Sequence, residues 1–317
     1  MIYRYLEDLE REAAKAEKPM RVAVAGAADE SVLEAVFEAA NRNIVSPILI
    51  GNKDEIARKS ENIPADAAAA IAGLPVIAAD GPGDCGEAAV AAVRDGAADF
   101  IMKGNMETSD VLKPLVRKEN GLNTGRTMNV LAYNEVPCLP RMLGLSDGGM
   151  IPYPTFEQKK DILENCVGML RALGIERPQV AVLAGIEHVN PKMPETVDAA
   201  RLQEMNRAGE ITDCDVYGPI SIDIALSAEI AAHKGYDCPS CGNFDLVIVP
   251  SLVAGNLMNK AMIITGGAKM AGVVLGAKVP VVLSSRGASP EEKFGSLALA
   301  ALAARKNGSD LMEPEGK

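Results

Sequence analysis

The sequence predicts an α/β chain of two domains, each built on a mostly parallel, doubly wound sheet. Three observations carry this. Short apolar runs rich in Val, Ile and Ala alternate with helical stretches, as in parallel strands covered by helices. The length of 317 residues suits about two domains with separate cores. Aromatic residues are only 3% and Trp is absent, so small aliphatic side chains must fill those cores.

Taken in order, residues 1–18 are charged throughout and read as an amphipathic helix rather than a secretory signal. A first buried strand is expected over Arg21 to Gly26 and a helix over Asp29 to Asn41. A second strand spans Ile44 to Gly51, with a helix from Lys53 to Lys59. A third strand covers Pro75 to Ala79, followed by an Ala-rich helix from Gly86 to Arg94. Asp99 to Lys103 is a fourth strand, and the next helix runs from Thr108 to about Lys118. Gly26 is not followed by GxGxxG, which argues against a dinucleotide site of the usual type. Gly121 to Arg126 is a glycine-bounded turn carrying a cation, and Thr127 to Val136 is a strand leaving the first sheet.

The alternation then repeats. Thr155 caps a helix reaching about Leu173, Gln179 to Ala184 is a strand, and Glu195 to Ala208 and Ile220 to Lys234 are helices. Phe244 to Pro250 is a strand, Leu252 to Ile263 a helix, and Ala271 to Leu275 a strand. Val279 to Leu283 is a short β-branched run expected as a buried parallel strand. Ser289-Pro290 opens the last helix, and the tail from Lys306 reads as unstructured. Residues 1–136 with 283–317 are expected to form domain one and 137–282 domain two, with a turn at Asp147-Gly148-Gly149 near the change.

The net charge of −11 argues against a nucleic-acid partner, because a phosphate backbone needs a basic face. A small anion needs only a local cluster of cations and backbone N–H groups. No apolar run approaches the length of a membrane span, and cytoplasm is the expected compartment. Six scattered cysteines do not make a disulfide framework. Cys238 and Cys241 are the one close pair. With only His188 and His233 as imidazoles, structural or redox-labile thiols are favoured over a metal site.

Chemistry is expected at strand carboxyl ends, where open α/β sheets bind ligands. Ser284, Ser285 and Arg286 follow the Val279 to Leu283 strand, with Glu291 and Glu292 at the start of the helix behind it. Glu292 has two readings, since Ser289 to Glu292 also spells a capping box. Lys103 and Arg126 are read as following strands beside glycines, a setting that suits a phosphate; each is otherwise a solvated charge. Asp223 begins an apolar helix and also fits a cap or turn. Asn256, with Lys260 on the same helix face, follows a strand and also fits a turn.

Several stretches together resemble the phosphate acyltransferases, the family of phosphate acetyltransferase and phosphate butyryltransferase. They are Met102 to Gly104, Gly121 to Arg126, Tyr217 to Asp223, Ala232 to Gly235, Val249-Pro250, Ala254 to Asn256 with Lys260, and Ala271 to Lys278 leading into Pro280 and Ser285-Arg286. The resemblance covers roughly residues 95–305. It lies closer to the butyryl branch around Gly121 to Arg126 and Asp223 to Gly235. Two departures stand out. Asn129-Val130 replaces a Ser-His of many butyryl-branch sequences, and the Cys238/Cys241 pair is foreign to the family's loop.

The resemblance implies acyl-CoA + phosphate ⇌ acyl phosphate + CoA. It implies the two-domain architecture shared with isocitrate and isopropylmalate dehydrogenases, with the site in an interdomain cleft, and a homo-oligomer. No bound cofactor or metal is required; coenzyme A is a substrate. Ser285, Arg286 and Glu292 or Glu291 are implied as catalytic, and Lys103, Arg126, Asp223, Asn256 and Lys260 as substrate-binding. Two rival readings remain. A metal- and NAD-dependent dehydrogenase of the same architecture would need an aspartate cluster, and none is seen in the sequence. A catalytically silent binding subunit of an acyl-transfer complex would have no need to keep Ser285-Arg286.

Overall fold

The computed structural model describes residues 2–285 and 287–307. Arg286 and the tail from residue 308 onward lie outside the described residues. The elements in order are α1 (Leu6–Ala13), β1 (Met20–Ala25), α2 (Glu30–Asn41), β2 (Val45–Gly51), α3 (Lys53–Ser60), α4 (Ala65–Ala72), β3 (Val76–Ala78), α5 (Pro82–Arg94), β4 (Phe100–Lys103) and α6 (Thr108–Val116). After a 3-10 turn at Lys118–Asn120 come β5 (Asn129–Glu135), β6 (Leu143–Ser146), α7 (Phe156–Ala172), β7 (Gln179–Leu183), α8 (Pro194–Arg207) and β8 (Asp215–Ile220). The chain ends with α9 (Ile222–Leu226), α10 (Ala228–His233), β9 (Leu246–Ile248), α11 (Leu252–Ile264), β10 (Lys269–Leu275), β11 (Val281–Leu283) and α12 (Pro290–Asn307).

Two compact units divide the chain: Glu7–Arg126 with Ala271–Lys317, and Met1–Leu6 with Thr127–Met270. In the first, the strand order is β3-β2-β1-β4-β11-β10. All neighbours are parallel except β10 and β11, which form an antiparallel pair. Val22 to Ala25 of β1 are fully buried, as a central parallel strand covered on both faces requires. The register sets Ala25 beside Lys103 and Lys103 beside Leu283, so β1, β4 and β11 end level with one another. α12 is buried along Leu297 to Ala301, which is why its sequence is apolar nearly all round. It packs against α2.

The second unit has the order β5-β6-β9-β7-β8, with β5 and β6 antiparallel and the rest parallel. The expected start of α7 is realised as a full capping box between Thr155 and Gln158.

Several elements depart from expectation. The opening helix is only α1, well short of residues 1–18. The helix expected over 220–234 is two short helices, because Ser227 turns extended and caps α10 with its hydroxyl. Its first residue, Ile220, ends a strand, β8. Helix α12 continues through Asn307, past the expected start of the tail. The units change at Thr127 and Ala271 rather than at 137 and 283. β5 pairs with β6 and so joins the later unit, while β10 pairs with β11 and joins the earlier one.

Candidate active site

Within the first unit, parallel pairing brings the carboxyl ends of β4 and β11 side by side, and with them Lys103 and Ser284-Ser285. Space there is tight. A Cβ at Gly104 would sit 2.2 Å from the carbonyl oxygen of Gly26, so only glycine lets the loops after β1 and β4 pass. Lys103 is buried, and its Nζ donates to the carbonyls of Gly104 at 3.2 Å and Met106 at 3.0 Å. These bonds tie the ammonium to the loop after β4.

Ser285 is exposed, and its Oγ accepts the Gly287 N–H at 3.4 Å. Accepting that bond leaves the hydroxyl proton available for a substrate oxygen. The Oγ of Ser284 is buried with no hydrogen-bond partner among the described residues. A buried unpaired hydroxyl is costly and uncommon, so this one calls for an explanation. The sequence placed Ser284 at the strand edge but offered no signal that its oxygen would be enclosed.

The two carboxylates at the start of α12 differ. Ser289 Oγ accepts the Glu292 N–H at 3.2 Å, which is the first half of a capping box. No hydrogen bond from the Ser289 N–H to the Glu292 carboxylate is found among the described residues, so the box is not closed. The Ser289 hydroxyl and a backbone N–H instead hold the exposed Glu291 carboxyl below its ordinary value. Glu292 is half-buried, and burial raises its pKa above the ordinary value, only partly offset by the Lys293 charge. Desolvation thus acts against the lowering that a helix start exerts on a nearby carboxylate.

Arg126 is exposed but does not follow a strand, contrary to expectation; it lies beyond α6 and the 3-10 turn. Its loop is laced to residues 276–278. Lys278 N–H donates to Leu122 O at 2.9 Å, Asn123 bridges Ala277, and the Thr124 hydroxyl donates to Gly276 O. Those residues lead into the amino end of β11, whereas Lys103 and Ser285 mark carboxyl ends. The loop backbone is thus anchored away from Ser285.

The second unit carries the other three residues. Asp223 follows β8 and pairs with Lys234 at 2.8 Å. That ammonium holds the Asp223 carboxyl down to about 2. Lys234 also lies 3.6 Å from Glu187, which accepts the Ser221 hydroxyl. Glu187 had no sequence signal, and Lys234 only its place in a matched stretch. The Asn256 side chain donates to Gly148 O at 3.2 Å. It thereby fixes a turn whose N–H groups at Gly149, Met150 and Ile151 converge on the buried Asp147 carboxylate. Lys260 is exposed one turn further along α11. Among the described residues no group of three or more His, Cys, Asp or Glu is placed to hold a metal ion, and no helix is long and apolar enough to cross a membrane.

An exposed hydroxyl after β11 and a carboxylate of raised pKa in the first turn of α12 are the groups this unit offers as candidates for group-transfer chemistry. Comparison with known proteins gives the class its name. A family model described as phosphate acetyl/butaryl transferase matches residues 6–74 and 83–301, and the chain belongs to that family of phosphate acyltransferases. A phosphate acetyltransferase of Thermotoga maritima is 42% identical over 90% of this chain and 95% of its own length. A phosphate butyryltransferase of Clostridium acetobutylicum is 40% identical over 92% of this chain and 95% of its own. Among solved structures, a branched-chain phosphotransacylase from Enterococcus faecalis V583 superposes with a TM-score of 0.79 at 30% identity, covering 90% of this chain and 99% of that one.

Proposed function

We propose that this phosphate acyltransferase joins a short-chain acyl-CoA and phosphate in a ternary complex, by direct attack of phosphate on the thioester. The observation that carries the proposal is an exposed Ser285 hydroxyl, its proton not used by the Gly287 bond, after β11, together with a half-buried Glu292 in the first turn of α12 that follows. In the forward direction a phosphate oxygen bonds to the thioester carbon, the C–S bond breaks, and CoA leaves as the thiol. Ser285 donates to the developing oxyanion or to the departing sulfur, a contribution of about 3–4 kcal/mol for one well-placed donor. In the reverse direction Glu292 takes the CoA thiol proton, the thiolate attacks the acyl phosphate, and phosphate departs and takes that proton up; in the forward direction the proton moves from phosphate to the CoA sulfur by the same route. A raised carboxyl pKa narrows the gap to the thiol and strengthens the base. Asp223, held near 2 by Lys234, is a poor base and is assigned to substrate binding.

Arg286 is assigned to phosphate by its bidentate fork. The Ser284 hydroxyl, without a partner among the described residues, gains one if it too meets a phosphate oxygen. Lys103 acts as a positioning residue, holding the loop that ends β4. Arg126, Asn256 and Lys260 are retained as substrate-binding residues, Asn256 through the turn at Asp147. Holding two reactants in place supplies about 7–11 kcal/mol of barrier lowering. A homo-oligomer is also proposed. Exposed Val253, Leu257 and Ile264 share one face of α11 in its support, and light scattering checks it.

The test is release of free thiol from acetyl-, propionyl- and butyryl-CoA, with and without phosphate. Phosphate-dependent release, graded by acyl length, is expected. Release that ignores phosphate contradicts the reading.

A further inference from the structure

Cys238 and Cys241 are left unused by the acyl transfer. They stand three positions apart, on either side of Pro239-Ser240. The turn between them is closed by the Cys241 N–H on Cys238 O at 3.4 Å. The flanking chain is pinned on both sides. Gly242 N–H donates to Ala225 O at 2.9 Å, Asn243 N–H to Ser240 O at 2.9 Å, and the Ser240 hydroxyl to Gln179. Gly242 has φ +79°, and a Cβ there would stand 3.1 Å from the Ala228 nitrogen, so this backbone path is specific to glycine. One closed turn, pinned at its flanks, thus carries both cysteines.

The thiols are unequal. Cys238 is half-buried, whereas Cys241 is buried in the cluster that includes Ala225, Ile224, Phe244 and Val247. We propose that Cys238 and Cys241 form a reversible dithiol–disulfide site, oxidised by a small disulfide of the glutathione type, with Cys238 attacking first and Cys241 resolving. Burial and the neighbouring sulfur push the Cys241 thiol up to about 12, which agrees with that order. Cys238 gives up its proton, its sulfur bonds to one sulfur of the reagent, and the other half leaves as a thiol carrying that proton. Cys241 then gives up its proton, attacks the Cys238 sulfur and expels the second half as a thiol. Two protein thiols and one disulfide become one protein disulfide and two small thiols.

The site adjoins a stretch of family resemblance. On the same loop the Tyr236 hydroxyl donates to Pro219 O at 3.4 Å, and α10 ahead of it leads to Lys234, the partner of Asp223. A closed disulfide stiffens the chain that braces this pair.

The experiment treats the full reduced chain with oxidised glutathione, then denatures it, alkylates it with N-ethylmaleimide and maps the peptides. Cys138 is exposed and serves as the internal control for a single modified thiol. Cys238 and Cys241 are expected to lose alkylation together, as a linked pair without glutathione, while Cys138 carries glutathione. Dithiothreitol is expected to restore alkylation at all six cysteines. In Cys241→Ser, Cys238 is expected to keep glutathione; in Cys238→Ser, Cys241 is expected to stay alkylated. The proposal is overturned if wild-type Cys238 retains glutathione, or if both thiols stay alkylated while Cys138 is modified.

Discussion

Replacing Glu292 by Gln separates catalysis from helix capping. Ser289 Oγ accepts the backbone N–H of residue 292, which the variant keeps, so the start of α12 loses nothing. Removing the charge also favours folding. The folded pKa lies above the ordinary 4.5, so this group's contribution to stability is full below that value and lost as pH rises through the folded pKa. At neutral pH the ionised Glu292 therefore costs stability that Gln does not, and the melting temperature of the variant is expected to match or exceed wild type. The rate is expected to move the other way. Loss of a general base costs at least about a hundredfold, or about 2.7 kcal/mol of barrier. The assay is thioester formation from acetyl phosphate and CoA across pH. The wild-type rate is expected to rise with pH through a carboxyl titration that the variant lacks. Glu291→Gln is the control, expected to stay near wild type because its carboxylate is exposed and of lowered pKa. A Glu292→Gln enzyme within threefold of wild type refutes the reasoning.

Three further outcomes follow from the same geometry. Arg286→Ala is expected to lose turnover by orders of magnitude with an unchanged circular-dichroism spectrum, and near-normal phosphate-dependent CoA release contradicts its role. Gly104→Ala forces a Cβ toward Gly26 O and is expected to cost roughly 3 kcal/mol in urea unfolding, the upper range for overpacking. Ser284→Ala removes a hydroxyl with no partner among the described residues; the KM for phosphate is expected to rise about tenfold, the effect of losing one hydrogen bond of about 1.4 kcal/mol, with stability equal or higher. A KM within twofold of wild type would deny Ser284 a phosphate contact.

Much of the fold was legible because local signals agreed with tertiary ones. The Val22 to Ala25 run, Asp29 before α2 and Thr155 before α7 each state a strand or a cap in a few residues. Three elements were not legible. α4 has Pro64 as its N-cap, with no side-chain cap, and its Ala-rich stretch has little apolar contrast between faces. β6 is four residues including Gly144, and β8 contains Gly218 and Pro219, residues that read as breakers. Both are strands because neighbouring β9 and β7 supply their hydrogen bonds.

The site divides the same way. Ser285 and Lys103 were placed by strand ends, which periodicity reveals. Burial of Glu292 and capture of Asp223 by Lys234 arise from packing beyond the local pattern, and the Lys103 ammonium folds back on carbonyls of its own loop, which strand periodicity does not encode.

The central claim is direct transfer between two substrates bound together, and an initial-velocity matrix tests it most directly. Phosphate and butyryl-CoA are varied against each other, and double-reciprocal lines are drawn for CoA release. Intersecting lines are predicted, because phosphate attacks the thioester only when both are bound. Parallel lines, with an acyl group left on the protein when phosphate is withheld, would show a covalent acyl-enzyme and contradict the account.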